Sequence, residues 1–213
     1  MDAAAFIRHH TVCAAPDFVP EIALHLAAEI TPVWQASEDW LQLKNAEPPF
    51  WAFAWAGGQG LARYILDHPE KFQGRHILDL AAGCGIAAIA ARLAGATTVT
   101  AVEIDRLAAA AIILNAARNA VTVEVVCRDM TDEDVTADCL IAGDICYAQT
   151  MAARLLPWLR RQAARGVAVY LGDPGRTYFP IDGYEICAEY SVPVALELED
   201  RTTRVVRVVR LLS

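Results

Sequence analysis

The stretch Ile77-Leu78-Asp79-Leu80-Ala81-Ala82-Gly83-Cys84-Gly85-Ile86 places one carboxylate ahead of three small residues, Ala81, Gly83 and Gly85. Small residues in a tight turn let a ligand approach the backbone closely. A dinucleotide site would use G-x-G-x-x-G with a pyrophosphate at the helix N-terminus. Here Ala88 stands where the third glycine would fall, and Asp79 precedes the turn. A carboxylate in that place repels phosphate and suits an amine. Glu103 follows Gly85 by 18 residues, where an acid can accept hydrogen bonds from ribose hydroxyls. An amine, a ribose and no phosphate describe S-adenosylmethionine, a methyl donor. Taken singly, Asp79 also reads as a turn or helix cap, the glycines as turn formers and Glu103 as a solvated acid. The ordered combination of strand, D-x-x-x-G-x-G, helix, strand and Glu favours the cofactor.

The elements that must position these residues follow from the pattern. Apolar runs at 76–81, 98–102, 123–127, 139–145 and 167–171 read as strands. Segments 86–94, 106–119 and 148–162 read as helices. Several strands are apolar on both faces, as a parallel sheet covered by helices on both sides requires. The alternation predicts an α/β fold with a doubly wound sheet. Segments 186–198 and 204–212 read as strands joined by a short turn at 199–203, hence an antiparallel hairpin. Pro193 suggests a bulge or an edge position there. Residues 1–56 hold four of the five tryptophans and show weak periodicity, apart from a strand-like alternation of Ile22, Leu24 and Leu26 between Pro20 and Pro32. They read as a cap or lid on a domain spanning 57–213, the whole making one compact domain.

Residues 77–85 resemble motif I of the class I, seven-strand methyltransferases, a Rossmann-like fold that ends in an antiparallel hairpin. Ala81 departs from the family, which usually has glycine there. The resemblance implies that Asp129 accepts from the adenine amino group and that Met130 packs on the ring, although Met130 also reads as ordinary core. Gly143-Asp144-Ile145-Cys146-Tyr147 is a D-x-x-Y at a strand end, where the methyl acceptor must sit. Nucleic-acid amino methyltransferases carry D/N-P-P-Y, so Ile145-Cys146 argues against a flipped base. D-x-x-Y resembles the seven-strand lysine methyltransferases that act on non-histone proteins. Residues 49–67, with Trp55-Ala56-Gly57-Gly58-Gln59, and Gly172-Asp173-Pro174-Gly175-Arg176 are most similar to the electron transfer flavoprotein beta-subunit lysine methyltransferases.

That resemblance implies S-adenosylmethionine as cofactor, S-adenosylhomocysteine as product and a lysine of the flavoprotein subunit as acceptor. A ribosomal protein or a small amine are alternative acceptors. Trp55 and Gln59 are expected in the cofactor pocket. Asp144 is expected to hold and orient the incoming ammonium, or else to cap the helix that follows. Tyr147 is expected to wall the acceptor channel, where a ring tolerates a methylammonium, or else to pack in the core. Asp173 and Arg176 read as loop-fixing residues, or else as substrate-docking ones.

Composition narrows the classes. The chain has 213 residues, 55% hydrophobic and 21% charged, which excludes intrinsic disorder. A net charge of −8 makes a poor general binder of nucleic acid. No apolar run is long enough to span a membrane, and residues 1–16 do not read as a secretory signal. The six cysteines form no C-x-x-C pair, so reduced thiols and a cytoplasmic setting are expected for a bacterial member. No zinc-ligand spacing and no Walker A or G-x-S-x-G motif is present, and no metal is expected. Arg204, Arg207 and Arg210 read as edge charges that block strand pairing, or as a docking rim.

Overall fold

The computed structural model describes residues 2–41 and 48–212. A small antiparallel pair, β1 (Val12–Ala14) and β2 (Leu24–Leu26), precedes the main sheet. That sheet has seven strands: β3 (His76–Leu80), β4 (Thr98–Glu103), β5 (Glu124–Cys127), β6 (Cys139–Gly143), β7 (Ala168–Asp173), β8 (Tyr184–Pro193) and β9 (Thr203–Leu211). Their order is β5-β4-β3-β6-β7-β9-β8. The first five are parallel, and β9 pairs antiparallel with both β7 and β8. This is the doubly wound sheet with a C-terminal hairpin that the sequence predicts.

The helices are α1 (Ala3–His10), α2 (Ile30–Leu41), α3 (Ala56–Asp67), α4 (Ile86–Leu93), α5 (Arg106–Arg118), α6 (Gln149–Ala164) and the short α7 (Leu196–Glu199). Alternation along β3 divides the core. Ile77 packs with Leu61 and Ile65 of α3, Ile89 of α4 and Ile112 of α5. Leu78 and Leu80 pack on the opposite face with Trp158 and Leu159 of α6.

Several elements depart from the sequence reading. Strands predicted through 81 and 145 stop at Leu80 and Gly143, because Ala81 and Asp144 adopt left-handed φ values of 53° and 54°. Strand β8 ends at Pro193 on the sheet edge, and residues 194–202 form a connection containing α7 instead of more strand and a tight turn. The bulge falls between Ile186 and Ala188. The segment 1–56 is less irregular than its weak period suggests. Pro32 sits in the first turn of α2, where a missing N–H costs nothing because that group has no helical partner. Phe6 and Ile7 of α1 bury against Leu107, Ala108 and Ala111 of α5. Val19, Ile22 and Leu24 join the sheet core itself. Residues 42–47 of the predicted cap lie outside the described residues.

Helix α3 is unmarked in the sequence because glycines occupy three of its first five positions, Gly57, Gly58 and Gly60. Their cost in helix propensity is offset by contact. A Cβ on Gly57 would lie 2.4 Å from the Gly172 carbonyl oxygen, and one on Gly172 would lie 2.3 Å from the Gly57 oxygen. A Cβ on Gly143 would lie 2.8 Å from Gly58 Cα. Backbone therefore packs directly on backbone between the start of α3 and the ends of β6 and β7. Gly172→Ala should destabilise the protein by about 3 kcal/mol through overpacking. Gly74→Ala, with nothing within 4 Å but a φ of 73°, should cost only about 1 kcal/mol. Urea unfolding of both variants checks this, and equal losses would refute the close-approach constraint.

Candidate active site

The turn after β3 is built from three left-handed residues, Ala81, Gly83 and Gly85, with φ of 53°, 56° and 80°. A Cβ on Gly85 would press on Ile112, whereas one on Gly83 would meet nothing within 4 Å. The backbone at Gly83 is therefore an open cradle. Glu103, at the end of β4, fixes it: Oε1 accepts from the Gly83 N–H at 2.7 Å and Oε2 from the Ile104 N–H at 3.0 Å. Asp79 is buried on the α4 side of β3, and its Oδ2 accepts from the Ala88 N–H at 2.9 Å. Burial pushes the Asp79 carboxyl up to about 8; the Ala88 N–H works against this and the nearby Glu103 adds to it. Burial also raises Glu103, opposed by the Gly83 and Ile104 amides.

Asn115, fully buried on α5, is a supporting residue that periodicity does not reveal. Its Nδ2 donates to the Cys84 carbonyl at 2.8 Å, and its Oδ1 accepts from the His25 N–H at 2.7 Å. Asn119, one helical turn on, binds both the N–H and the carbonyl of Ala23. The signal was present as two asparagines four residues apart in an alanine-rich helix.

A cavity opens between this turn and Asp144. Asp79, Ala81, Gly83 and Cys84 line it from one side, and Phe53, Trp55, Gly58, Gly143 and Asp144 from the other. Its acidic lining residues are Asp144 and the buried, proton-holding Asp79, with no cation among the described lining residues. Aromatic walls, an open glycine and acidic groups alone suit a cofactor that carries a sulfonium and an amine. The Trp55 ring is held by its Nε1–H, which donates to the Phe50 carbonyl at 2.8 Å. Gln59, expected in this pocket, instead donates from Nε2 to the Ala54 carbonyl at 2.6 Å and faces a different cavity. Asp129 and Met130 are also absent from its walls. The Asp129 carboxylate accepts from the Thr131 N–H and hydroxyl and pairs with Arg154, and Met130 packs beside the α6-side core.

Asp144 is brought to the same cavity but is not free. Its Oδ2 accepts from the Gly58 N–H at 3.1 Å, and its Oδ1 accepts from Arg176 Nε and Nη2 at 3.0 and 2.7 Å. Arg176 also grips Glu199 at two points, at 3.1 and 2.7 Å. Arg204 closes the far side of Glu199 at 3.1 Å. Arg204 is thus part of a buried charge chain, a correction to its reading as an edge charge. Arg207 and Arg210 pair across the hairpin with Glu189 and Glu185. Burial opposes the Arg176 charge, but Asp144 and Glu199 outweigh it and hold the guanidinium protonated. Burial raises Asp144 in spite of Arg176. Asp173 fixes the loop as expected, its Oδ1 accepting from the Gly175 and Arg176 amides at 2.7 Å. Burial lifts it to about 6.

Tyr147 is 43% exposed and belongs to an aromatic row. Its ring lies 5.1 Å from Phe50, Phe50 lies 5.8 Å from Trp55, and Trp55 lies 6.0 Å from Phe53. No cluster of metal-ligating side chains and no helix long and apolar enough to cross a membrane occurs among the described residues.

The family model described as ribosomal protein L11 methyltransferase (PrmA) matches residues 62–161. The chain is 34% identical over 199 residues to the electron transfer flavoprotein beta subunit lysine methyltransferase of Rattus norvegicus, covering 89% of this chain and 76% of the relative. The Danio rerio protein of the same name is 37% identical over 178 residues, covering 82% and 68%. The fold is similar to that of the ribosomal protein L11 methylase from Lactobacillus delbrueckii subsp. bulgaricus, with a TM-score of 0.57, 16% identity and coverage of 94% and 100%.

Asp79 makes the stability of the cofactor-free protein depend on pH. Its folded value is about 8 against an ordinary 3.8. The proton it keeps on folding stabilises the protein fully below pH about 4, and that contribution is lost as pH rises through the folded value. Asp79→Asn should flatten the decline in unfolding free energy between about pH 5 and about pH 8. Urea titrations across that range check it; an unchanged slope would exclude Asp79 as its source.

Proposed function

The chain belongs to the electron transfer flavoprotein beta subunit lysine methyltransferase family, and from that premise we propose that it methylates lysine side chains of the electron transfer flavoprotein beta subunit. The supporting observation is the cavity that joins the glycine turn to Asp144 at the end of β6. The cofactor is S-adenosylmethionine. When bound it supplies a methyl group on a sulfonium, open to displacement by an amine nitrogen. Asp79, Glu103 and the open backbone at Gly83 would hold it, with Trp55 and Phe53 as walls.

The chain's own task is to deliver a neutral, aligned amine. Alignment within the cavity converts a bimolecular encounter into a local one. The apolar and aromatic walls favour the uncharged form of a lysine amine and so lower its pKa. Asp144 orients the amine in this reading. A carboxylate offers about four lone-pair sites, and three are taken by Gly58 and Arg176. One remains for an amine N–H. The Arg176 pairing means that Asp144 presents a directional acceptor more than an uncompensated charge. Tyr147 walls the approach at the exposed end of the aromatic row. The released proton passes to water, since no side chain among the described residues is placed as a dedicated base. Six free cysteines support a reducing compartment, in keeping with a cytoplasmic protein. A ribosomal protein is the second reading of the acceptor, favoured by the family model over residues 62–161.

Incubation with purified flavoprotein beta subunit and S-adenosylmethionine should add whole methyl masses to lysine peptides in a mass spectrum. Label found instead in a ribosomal protein would select the second reading. Asp144→Asn should cut turnover about 100-fold by misplacing the acceptor, with cofactor affinity measured by calorimetry changed far less. Near-normal turnover would remove the orienting role.

A further inference from the structure

A second cavity, of about 380 Å³, shares Phe53 and Trp55 with the cofactor cavity. This volume lies in the range of ordinary ligand sites. Its other walls come from two segments that take no part in the cofactor turn. Asp17, Leu26 and Ala27 belong to the N-terminal segment, and Pro193 ends the edge strand β8 with Val194 and Ala195 following it. Gln59 and Glu199 complete it. We propose that this cavity seats the lysine-bearing segment of the acceptor protein. The inference rests on the methyltransferase reading and extends it to the place where the substrate docks.

Three observations carry it. First, Phe53 and Trp55 wall both cavities, so the second cavity adjoins the one that holds Asp144. Second, the charges match. The charged residues on its described walls are Asp17 and Glu199, with no Lys, Arg or His among them; Glu199 is already paired with Arg176 and Arg204, so Asp17 supplies the attraction. A cationic segment is attracted there and an anionic one repelled. The remaining lining is largely apolar, which suits the methylene stem of a lysine and strips water from its head. Third, the cavity is wired to the transfer site. Glu199 on its wall is gripped by Arg176, which also holds Asp144 in the cofactor cavity. A segment that settles against Glu199 therefore acts on the group that orients the amine, through a single guanidinium.

Ala195 is exposed on the cavity wall, so Ala195→Trp fills the space without disturbing the core. Its KM for the flavoprotein beta subunit should rise at least about tenfold, while the Kd for S-adenosylmethionine stays within twofold of wild type. An unchanged KM would overturn the proposal. Hydrogen exchange on the wild-type enzyme with S-adenosylhomocysteine, with and without the flavoprotein subunit, provides a readout that needs no variant. Protection is expected in residues 16–27 and 193–199. Protection confined to residues 147 and 176–181 would overturn the assignment. Wild-type turnover on the flavoprotein subunit reports separately on the identity of the acceptor, so failure of that reading is distinguishable from failure of the cavity.

Discussion

The packing of backbone on backbone between α3 and the ends of β6 and β7 is the constraint on which the rest of the site depends. Gly57, Gly143 and Gly172 leave no room for a Cβ at this seam. The close approach brings the first turn of α3 onto the carboxyl ends of the strands. An N–H there that has no helical partner then meets the Asp144 carboxylate. The same approach sets the residue before the helix, Trp55, against the glycine turn. One van der Waals fact thus places a cofactor wall, an acceptor-side carboxylate and a helix terminus within one cavity. It also accounts for residues that look unfavourable in isolation, since three glycines in five positions weaken a free helix.

The second organising feature is electrostatic. Asp144, Arg176, Glu199 and Arg204 alternate in sign and lie largely out of water. Such a chain is costly to assemble and more costly to interrupt, because removing one member leaves a buried charge uncompensated. Its value is positional. It joins the end of β6, the loop after β7, the connection after β8 and the start of β9, four places far apart in sequence. The left-handed φ at Asp144 belongs to the same arrangement, turning the carboxylate out of the strand line toward Gly58 and Arg176.

Much of this was legible in the chain. The doubly wound sheet and its C-terminal hairpin follow from apolar runs and helix spacing, and the glycine turn follows from Asp79, Gly83, Gly85 and Glu103, because these signals are local. The unread parts are non-local. Gln59 sits in a motif beside Trp55, yet Trp55, ahead of the helix, walls the cofactor cavity, whereas Gln59, within it, lines only the second cavity. Asp129 and Met130 follow β5 as expected, but an ion pair with Arg154 claims the carboxylate. Glu199 and Arg204 looked like turn and edge residues, because nothing in their own neighbourhood shows that Arg176 lies between them and the site. Helix α3 has no helical period to read, since its identity comes from the surface it must touch.

Asn115 of α5 and Asn119, which caps that helix, carry a consequence for how this protein can be re-engineered or diversified by recombination. Asn115 holds both the cofactor turn and the backbone of β2, and Asn119 holds the residue just before that strand. The N-terminal arm is therefore not an interchangeable module set on a finished catalytic domain. A chimaera that imports the arm of another enzyme must import a matching α5 face with it, or the cofactor turn loses its clamp. The natural unit of exchange is the arm together with α5, two pieces separated by the first strands of the sheet.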